Sequence, residues 1–342
     1  MKEKITIKDI IAKLQKRDTL ATLEAEFLIS QIIEKKIAPE VVGAALALIS
    51  TRFVETQELV GFAKFLLSKA IIIDHKIDNL VDVVGTGGDY HSSLNISSAT
   101  SLVISAAGYK VAKHGNRAVT SLSGSEEVFR HLGINPNVSP QLAKQALLTH
   151  GFCFLLAPIY HSALKNVANI RRELGFRSIF NFLGPLLNPT RPSVMLLGTS
   201  EVDLLEKYAK AALQLGCTKG VVVHGFDGLD EVSNTNKSYI QEFDTILGEK
   251  YIFDPTEYGF KLYHLEQIKG KDPAYNAQKI IELLQGKASE PFEDVITLNA
   301  GFLLKKLENI SLAKAFSKAR QIIKSGAGYD KLKDLQNFYK SN

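Results

Sequence analysis

The chain carries its clearest structural signal at Val81-Asp82-Val83-Val84-Gly85-Thr86-Gly87-Gly88-Asp89. A valine-rich run of this kind predicts a buried β-strand, and the glycines that follow it at once predict a tight loop. Glycine residues allow backbone N–H groups to turn towards a bound anion. Ser97 and Ser98 then place hydroxyl groups at the predicted start of a helix, where anions are favoured. The stretch therefore predicts a phosphate-binding loop at the end of a strand.

This loop differs from two common phosphate-binding motifs. A Walker loop ends in Gly-Lys-Ser/Thr, and a dinucleotide fingerprint needs the spacing G-x-G-x-x-G. Gly85, Gly87 and Gly88 fit neither pattern. A tight turn without a ligand stays open as the alternative for the loop taken alone.

Strand and helix signals alternate on the carboxyl side of this loop. Strands are predicted at residues 80–84, 110–112, 153–157, 194–198 and 220–223, and a helix at 203–215 that stops at Gly216. This order predicts an α/β fold with a mainly parallel central sheet that is covered on both faces. In such sheets, ligands bind at the carboxyl ends of the strands.

The amino-terminal part of the chain has a different pattern, because its apolar residues recur at helical spacing. Four stripes are predicted: Ile7, Ile10, Ile11, Leu14; Ala25, Leu28, Ile29, Ile32; Val42, Ala45, Leu46, Ile49; and Leu59, Phe62, Ala63, Leu66. Thr22 is predicted as the N-cap of the second helix, while Pro39 and Thr56 are predicted to begin the third and fourth. We therefore expect a small helical domain over residues 1–72 and a larger α/β domain over 73–342.

Composition narrows the possible functions. The 342 residues are 45% hydrophobic and carry a formal net charge of +5, with the lysines scattered instead of clustered. This pattern does not favour nucleic-acid binding. The sequence has no apolar run of the roughly 20 residues needed to cross a bilayer and no signal-peptide pattern at its start. Cys153 and Cys217 lie in apolar segments without metal-ligand spacing, so we expect buried thiols and a cytoplasmic protein.

Three further segments carry charged or polar groups of possible chemical use. Lys113-His114-Gly115-Asn116-Arg117 follows a predicted strand and supplies cations that suit a diphosphate or a carboxylate. Asp227-Gly228-Leu229-Asp230-Glu231 also follows a strand, and its adjacent acids suit Mg²⁺, which uses one or two protein carboxylates plus substrate phosphates. The third segment contains His161, Arg171, Arg172 and a Gly184-Pro185 turn. Taken alone, the first segment could be a polar surface loop, the second a solvated acidic turn, and His161 a structural histidine.

Taken together and in this order, the segments resemble those of the anthranilate phosphoribosyltransferase family, and the similarity extends to Lys324-Ser325-Gly326. The resemblance implies a homodimer formed through the small helical domain, which helices from about 162–180 would join. It also implies transfer of a phosphoribosyl group from phosphoribosyl diphosphate (PRPP) to anthranilate in tryptophan biosynthesis. The implied partners are these small molecules and Mg²⁺, with no nucleic acid and no membrane.

The resemblance also implies roles for individual residues. PRPP would be bound by Gly85, Gly88, Asp89, Ser93, Asn95, Ile96, Ser97, Ser98, Lys113 and Ser125. Anthranilate would be bound by Gly85, His114, Asn116, His161, Arg171 and Pro185. The metal would be held by Ser97, Asp230 and Glu231.

The sequence departs from the family pattern at three positions. Tyr90 stands where glycine is usual, Ser93 stands where threonine is common, and Leu122 stands where some members have lysine. Two other functions are alternatives to this assignment. A pyrimidine nucleoside phosphorylase carries Lys-His-Ser where this chain has Val83-Val84-Gly85, and a catalytically silent, nucleic-acid-binding paralogue would lack the glycine loop or the acidic pair.

Overall fold

The computed structural model describes residues 5–87, 93–117 and 123–342. Four amino-terminal helices form a bundle: α1 (Ile7–Gln15), α2 (Thr22–Ile33), α3 (Pro39–Ser50) and α4 (Thr56–Ser68). The predicted starts at Pro39 and Thr56 are confirmed. The predicted N-cap at Thr22 is wrong, because Thr22 is the first helical residue and Ala21 is the N-cap. Alanine has no side-chain acceptor, and the Glu24 carboxylate caps the helix by accepting from the Ala21 N–H at 2.8 Å.

The described residues contain a seven-stranded sheet in the order β3-β2-β1-β4-β5-β6-β7. Its strands are β1 (Val81–Gly85), β2 (Val111–Gly115), β3 (Phe152–Leu156), β4 (Val194–Gly198), β5 (Lys219–Gly225), β6 (Ser238–Asp244) and β7 (Ile246–Phe253). The first five strands are parallel, while β6 and β7 add an antiparallel edge. The predicted mainly parallel sheet is confirmed, but the antiparallel edge was missed.

Helices cover both faces of this sheet. They are α5 (Ile96–Ala106), α6 (Ser125–His131), α7 (Pro140–His150), α8 (Ala157–Tyr160), α9 (Ala168–Leu174), α10 (Phe180–Leu183), α11 (Leu205–Gln214), α12 (Pro273–Leu284), α13 (Glu290–Glu308), α14 (Leu312–Lys324) and α15 (Ala327–Lys340). Alternate strand residues pack into different cores, as the pleat of a strand requires. Val83 and Val221 belong to the core that includes α5 and α13. Val84 and Val222 belong to the core that includes α11 and the amino-terminal bundle.

Residues 162–180 pack against the amino-terminal bundle. Val167, Ile179 and Phe180 share its apolar core, and the Asn166 side-chain amide donates to the Ile33 carbonyl at 2.9 Å. These contacts fit the expectation that this segment joins the helical domain. The domain boundary at residue 72 stays a prediction.

The order of the strands fixes where a ligand can enter. From β1 the chain moves outward to β2 and β3, and it then returns to place β4 on the other side of β1. The connections after β1 and β4 therefore diverge at the carboxyl ends of these two strands, which is where open α/β sheets bind ligands.

Candidate active site

The ends of β1 and β4 meet the loop that follows β5 at very short range. Gly85 and Gly198 are opposite each other in the sheet, and each faces Asp230. A Cβ atom on Gly85 would lie 2.1 Å from Asp230 Oδ2, and one on Gly198 would lie 1.6 Å from the Asp230 carbonyl oxygen. Only glycine fits at these positions, so two glycines bring the acidic pair Asp230-Glu231 directly onto the glycine-rich loop.

The Asp230 carboxylate also contacts this loop directly. Its Oδ2 accepts a hydrogen bond from the Gly87 N–H at 2.7 Å. Gly87 has a φ of +64°, a left-handed conformation that glycine adopts without strain. The loop therefore presents a backbone N–H to an anionic group, as a phosphate-binding loop must.

The acidic turn after β5 contains one structural carboxylate and two that face the site. Asp227 accepts hydrogen bonds from the hydroxyl groups of Ser233 and Thr235, and from the Leu229 N–H at 3.2 Å. Asp230 and Glu231 are both buried at the loop. The three carboxylates of this segment therefore do not act alike, because Asp227 stabilises the turn that holds the other two.

Lys113 lies within β2 and points into the site. Its predicted place was a loop after a strand ending at residue 112, but β2 continues to Gly115. The side chain is buried, and its ammonium donates to the Val83 carbonyl at 2.6 Å and to Ser97 Oγ at 3.3 Å. Burial lowers the pKa of Lys113, while the negative charges of Asp82, Glu231 and Asp230 raise it. The strand thus places a cation between the glycine loop and the start of α5.

His114 and His161 form a buried pair of rings. Their centroids are 5.6 Å apart in an edge-to-face arrangement. His161 Nε2 donates to the Leu187 carbonyl at 2.7 Å, and neither His161 Nδ1 nor His114 Nε2 has a hydrogen-bond partner among the described residues. Burial lowers the pKa of both, and the pKa of His114 falls to about 3. Both rings are therefore neutral at physiological pH.

The start of α5 brings together several of the predicted PRPP residues. Asn95 is the N-cap, and its side-chain oxygen accepts from Asn276 Nδ2 at 2.9 Å and from Ser123 Oγ at 3.2 Å. Ile96 and Ser98 are buried in the first turn, where Ser98 Oγ has no partner among the described residues. A buried hydroxyl of this kind usually finds a partner, and a ligand oxygen would supply one.

The remaining predicted residues are more scattered. Ser93 pairs with Lys269 through its backbone, and Ser125 Oγ donates to the Asn116 carbonyl at 3.2 Å. Asn116 is exposed, with its side-chain oxygen accepting from the Arg117 N–H at 2.8 Å. Gly88, Asp89, Tyr90 and Leu122 lie outside the described residues.

Arg171 is half-buried on α9, and its guanidinium lies 5.4 Å from the centre of the Phe180 ring. Burial lowers the pKa of Arg171. Arg172 is exposed and donates to Asn169 at 3.2 Å. Pro185 is buried in a single 3₁₀ turn, Gly184–Leu186, that precedes the Leu187 carbonyl bound by His161.

Three polar residues that organise the site were not predicted from the sequence. Asp82 is fully buried within β1, where it accepts from the His114 N–H at 3.2 Å and from Asn188 Nδ2 at 2.8 Å. Asn299 on α13 exchanges two hydrogen bonds of 3.0 Å with the backbone of Val232, next to the acidic pair. The signal for Asp82 was present, since it is a lone acid inside a run of valines. Asn188 and Asn299 act across 106 and 67 residues, and no local pattern marks them.

The described residues contain no cluster of three or more histidine, cysteine, aspartate or glutamate side chains that could hold a metal. Two neighbouring carboxylates suit Mg²⁺ when a substrate phosphate completes the coordination. The buried pair Asp230-Glu231 meets this requirement, because it faces a loop that presents N–H groups to an anion. None of the helices in the described ranges combines the length and apolar composition needed to cross a membrane.

Comparison with known proteins agrees with this geometry. Residues 77–329 match the α/β domain of a glycosyl transferase family, and residues 8–70 match the helical bundle domain of the same family. An anthranilate phosphoribosyltransferase from Thermoanaerobacter sp. (strain X514) is 38% identical over 97% of this chain and 98% of its own length. One from Haemophilus influenzae (strain PittGG) is 36% identical over 96% of this chain and 98% of its own length.

Solved structures show the same similarity. The anthranilate phosphoribosyltransferase from Thermus thermophilus superposes with a TM-score of 0.91 and 32% identity, covering 97% of this chain and 99% of that chain. The enzyme from Saccharomyces cerevisiae, in complex with PRPP and Mg, gives a TM-score of 0.88 and 26% identity over 98% of each chain. Fold and site thus define a glycosyltransferase with a helical bundle and an α/β domain. Within that class, the chain belongs to the anthranilate phosphoribosyltransferase family.

Proposed function

We propose that this chain transfers the phosphoribosyl group of PRPP to anthranilate in tryptophan biosynthesis, giving N-(5-phosphoribosyl)anthranilate and diphosphate. Membership of the family supports the reaction. The observation that carries the proposal for this chain is the meeting of Lys113, the glycine loop and the acidic pair Asp230-Glu231 at one end of the sheet. Such a site combines a cation, backbone donors and metal-binding oxygens around a diphosphate-sized anion.

The PRPP site would lie between β1, β2 and the first turn of α5. It would consist of Gly85, Gly88, Asp89, Ser93, Asn95, Ile96, Ser97, Ser98, Lys113 and Ser125. The unpartnered Ser98 hydroxyl and the Lys113 ammonium support this assignment, because both are buried and Lys113 contacts Ser97 in the first turn of α5. Gly88 and Asp89 are assigned by resemblance alone.

Ser97, Asp230 and Glu231 would hold Mg²⁺. Oxygen ligands are what this ion prefers, and two of the three are carboxylates. When bound, the ion supplies positive charge that stabilises the departing diphosphate. The chain itself contributes Lys113, whose ammonium neutralises part of the same charge.

The acceptor site would be lined by Gly85, His114, Asn116, His161, Arg171 and Pro185. Arg171 suits a carboxylate, because a guanidinium donates two parallel hydrogen bonds to it. The two neutral histidines present an uncharged surface for an aromatic ring. The acceptor amine is already neutral at pH 7, so attack on the ribose carbon needs no general base. Departure of the diphosphate is the difficult step, and the site acts mainly by stabilising charge and by holding the two substrates in line.

A homodimer formed through the helical domain, residues 1–72 with about 162–180, is part of the same proposal. Leu23 on α2 supports it, since this leucine is 64% exposed on the bundle. Sedimentation velocity of the wild-type chain and of Leu23→Glu would test this assembly, and a monomeric wild type would contradict it.

The reaction is tested by following anthranilate fluorescence in the presence of PRPP and Mg²⁺. We expect turnover that stops when the metal is chelated. Changing both Asp230 and Glu231 to alanine should abolish turnover while leaving the circular dichroism spectrum intact. Alanine at the exposed acids Glu249 and Glu266 is the matched control and should leave the rate unchanged.

Two results would contradict the proposal. Full activity of the Asp230/Glu231 double variant would remove these residues from the metal site. A folded wild-type chain without any turnover would favour the catalytically silent paralogue.

A further inference from the structure

β1 pairs with β4 on one side and with β2 on the other. These two lines of strand pairing, the β1–β4 seam and the β1–β2 seam, differ in their backbone hydrogen bonding. β1 and β4 remain paired over five residues, from Val81 to Gly85, and β2 and β3 are also paired over five. β1 and β2 are paired only at Val81 and Val111. The strands therefore separate at their carboxyl ends, although both continue beyond this pair.

Side chains replace the backbone hydrogen bonds that are missing between β1 and β2. In this register the next pair would join the Val83 peptide to the Ala112 carbonyl and the His114 N–H. Instead, the Val83 carbonyl accepts from Lys113 Nζ at 2.6 Å, and the His114 N–H donates to Asp82 Oδ1 at 3.2 Å. The Ala112 carbonyl accepts from Asn188 Nδ2 at 2.8 Å.

Asp82 and Asn188 also bind each other and are fixed from outside the gap. Asn188 Nδ2 donates to Asp82 Oδ2 at 2.8 Å, and Asn188 Oδ1 accepts from the N–H and the hydroxyl of Thr190. Both side chains are buried, with Asp82 fully so. Buried backbone groups must have partners, so these two side chains make the separated strands stable.

We propose that Asp82 and Asn188 are positioning residues that keep the carboxyl ends of β1 and β2 apart and thereby hold the Lys113 ammonium near Ser97 and the His114 ring near His161, on opposite faces of β2. The idea rests on the proposed function in one respect, namely that Lys113 and His114 serve PRPP and the acceptor. Without Asp82, the His114 N–H loses its acceptor. Closing of the two strands then becomes favourable, because the His114 N–H can donate directly to the Val83 carbonyl. That closure removes the Lys113 ammonium from its present partner.

The charges around Asp82 agree with this role. Burial raises its pKa to about 6, whereas the Lys113 charge and the hydrogen bond from Asn188 lower it. Lys113 and His114 face it from β2, and Asn188 faces it from the segment before β4. The other charged groups near Lys113 are Asp230 and Glu231. Asp82 is therefore a negative charge placed beside Lys113 by the fold itself.

Steady-state kinetics of three variants test the proposal. Asp82→Ala and Asn188→Ala should each lower kcat/KM for both substrates by about a hundredfold, since Lys113 and His114 both shift. Asp82→Asn keeps the shape and an acceptor for His114, so it should retain intermediate activity. Cys153→Ala is the control, because Cys153 is buried on β3 opposite Ala112 and has no part in the site.

Losses of activity no greater than that of Cys153→Ala would overturn the proposal. If Asp82→Ala does not fold, Asn188→Ala and Asp82→Asn carry the same test. A second measurement does not need turnover: the ¹⁵N amide shift of His114 should follow Asp82 with an inflection near pH 6 that is absent in Asp82→Asn. An inactive wild type that shows this inflection contradicts the proposed function alone. An active wild type whose Asp82→Ala and Asn188→Ala variants keep wild-type kinetics contradicts the positioning role.

Discussion

The two seams beside β1 differ in residue type and in how closely the chain packs at their carboxyl ends. The β1–β4 seam ends in Gly85 and Gly198, which lack side chains and allow the backbone of Asp230 to approach. The β1–β2 seam ends in buried charged and amide groups, which hold the strands apart. The β1–β4 seam is therefore closed, so that the loop with Asp230 can lie directly on it. The β1–β2 seam is open, so that side chains can enter it.

The comparison shows why polar residues are buried in an otherwise apolar sheet. A direct backbone ladder would satisfy the same groups without a buried carboxylate or ammonium, and burying charge is costly. Within the described strands, the buried carboxylate and the buried ammonium, Asp82 and Lys113, both lie at the β1–β2 seam. We therefore expect substitutions in the two seams to fail in different ways.

The largest loss of stability is expected for Gly198→Ala, which would disrupt packing at the closed seam. The added Cβ would lie 1.6 Å from a backbone oxygen, which cannot move aside as a side chain could. Overpacking of this kind typically costs about 1–3 kcal/mol, and a backbone clash lies at the upper end or beyond. Urea unfolding would show the loss as a lower transition midpoint.

Gly43→Ala is the control for this substitution. Gly43 lies in α3, where the nearest atom to a new Cβ is Leu174 Cδ2 at 3.8 Å, so alanine should be neutral or stabilising. Equal midpoints for Gly198→Ala and wild type would show that the loop after β5 does not lie on the seam as described.

The open seam predicts a pH dependence of stability for Asp82. Its pKa is raised from 3.8 in the unfolded chain to about 6 in the fold, so ionisation opposes folding. Below pH 3.8 the carboxyl is protonated in both states and costs nothing. The cost grows as the pH rises towards 6 and is complete above it, where this difference in pKa corresponds to about 3 kcal/mol.

Unfolding free energies of wild type and Asp82→Asn at pH 4 and pH 7 isolate this contribution. The stability of Asp82→Asn relative to wild type should increase between the two pH values by about 2.4 kcal/mol, because part of the cost is already present at pH 4. The asparagine variant would then gain relative stability while losing activity. A difference that does not change with pH would mean that the fold does not raise the pKa of Asp82.

These two seams also mark the limit of what the sequence could predict. The helical stripes and the strand before the glycine loop depend on residues close together in the chain, and the predicted helices and strand are confirmed. β2 was predicted to end at residue 112 because Lys113 and His114 are polar, yet both are buried in the strand. A rule based on residue type cannot anticipate polar groups whose partners come from another strand.

The missed antiparallel edge has a different explanation. β6 does not alternate strictly, because Ile240 and Gln241 are both buried and the pairing with β7 shifts register between Gln241 and Phe243, so the period-2 signal of a strand is interrupted. Asn188 and Asn299 carry no local signal, because they bind groups far away in sequence. Such contacts depend on the assembled fold.

A smaller effect is expected at the proposed acceptor residue Arg171, where Arg171→Ala should weaken anthranilate binding more than PRPP binding. Charge-assisted hydrogen bonds are worth about 1.5–3 kcal/mol, or roughly tenfold to a hundredfold in affinity. Arg172→Ala is the matched control, since Arg172 is exposed and contacts only Asn169 within the described ranges. Equal losses for both substrates would make Arg171 structural, and exchanged effects would place the wrong arginine in the site.

The smallest effect on stability is expected at Thr86 and Ser200, which join the loops at the end of the closed seam. The Ser200 N–H donates to Thr86 Oγ1 at 3.1 Å, and the two hydroxyl oxygens are 3.4 Å apart. Both groups are half-buried and neutral, so Thr86→Val, which keeps the shape, should cost about 0.5–1.5 kcal/mol. A double-mutant cycle with Ser200→Ala separates the hydroxyl contact from the backbone one. Because the hydroxyl contact is long, its coupling energy should be near zero, and most of the loss should come from the orphaned Ser200 N–H. A coupling energy above about 1 kcal/mol would mean that the two hydroxyls bind each other more closely, and that the closed seam is held by side chains as well as by its glycines.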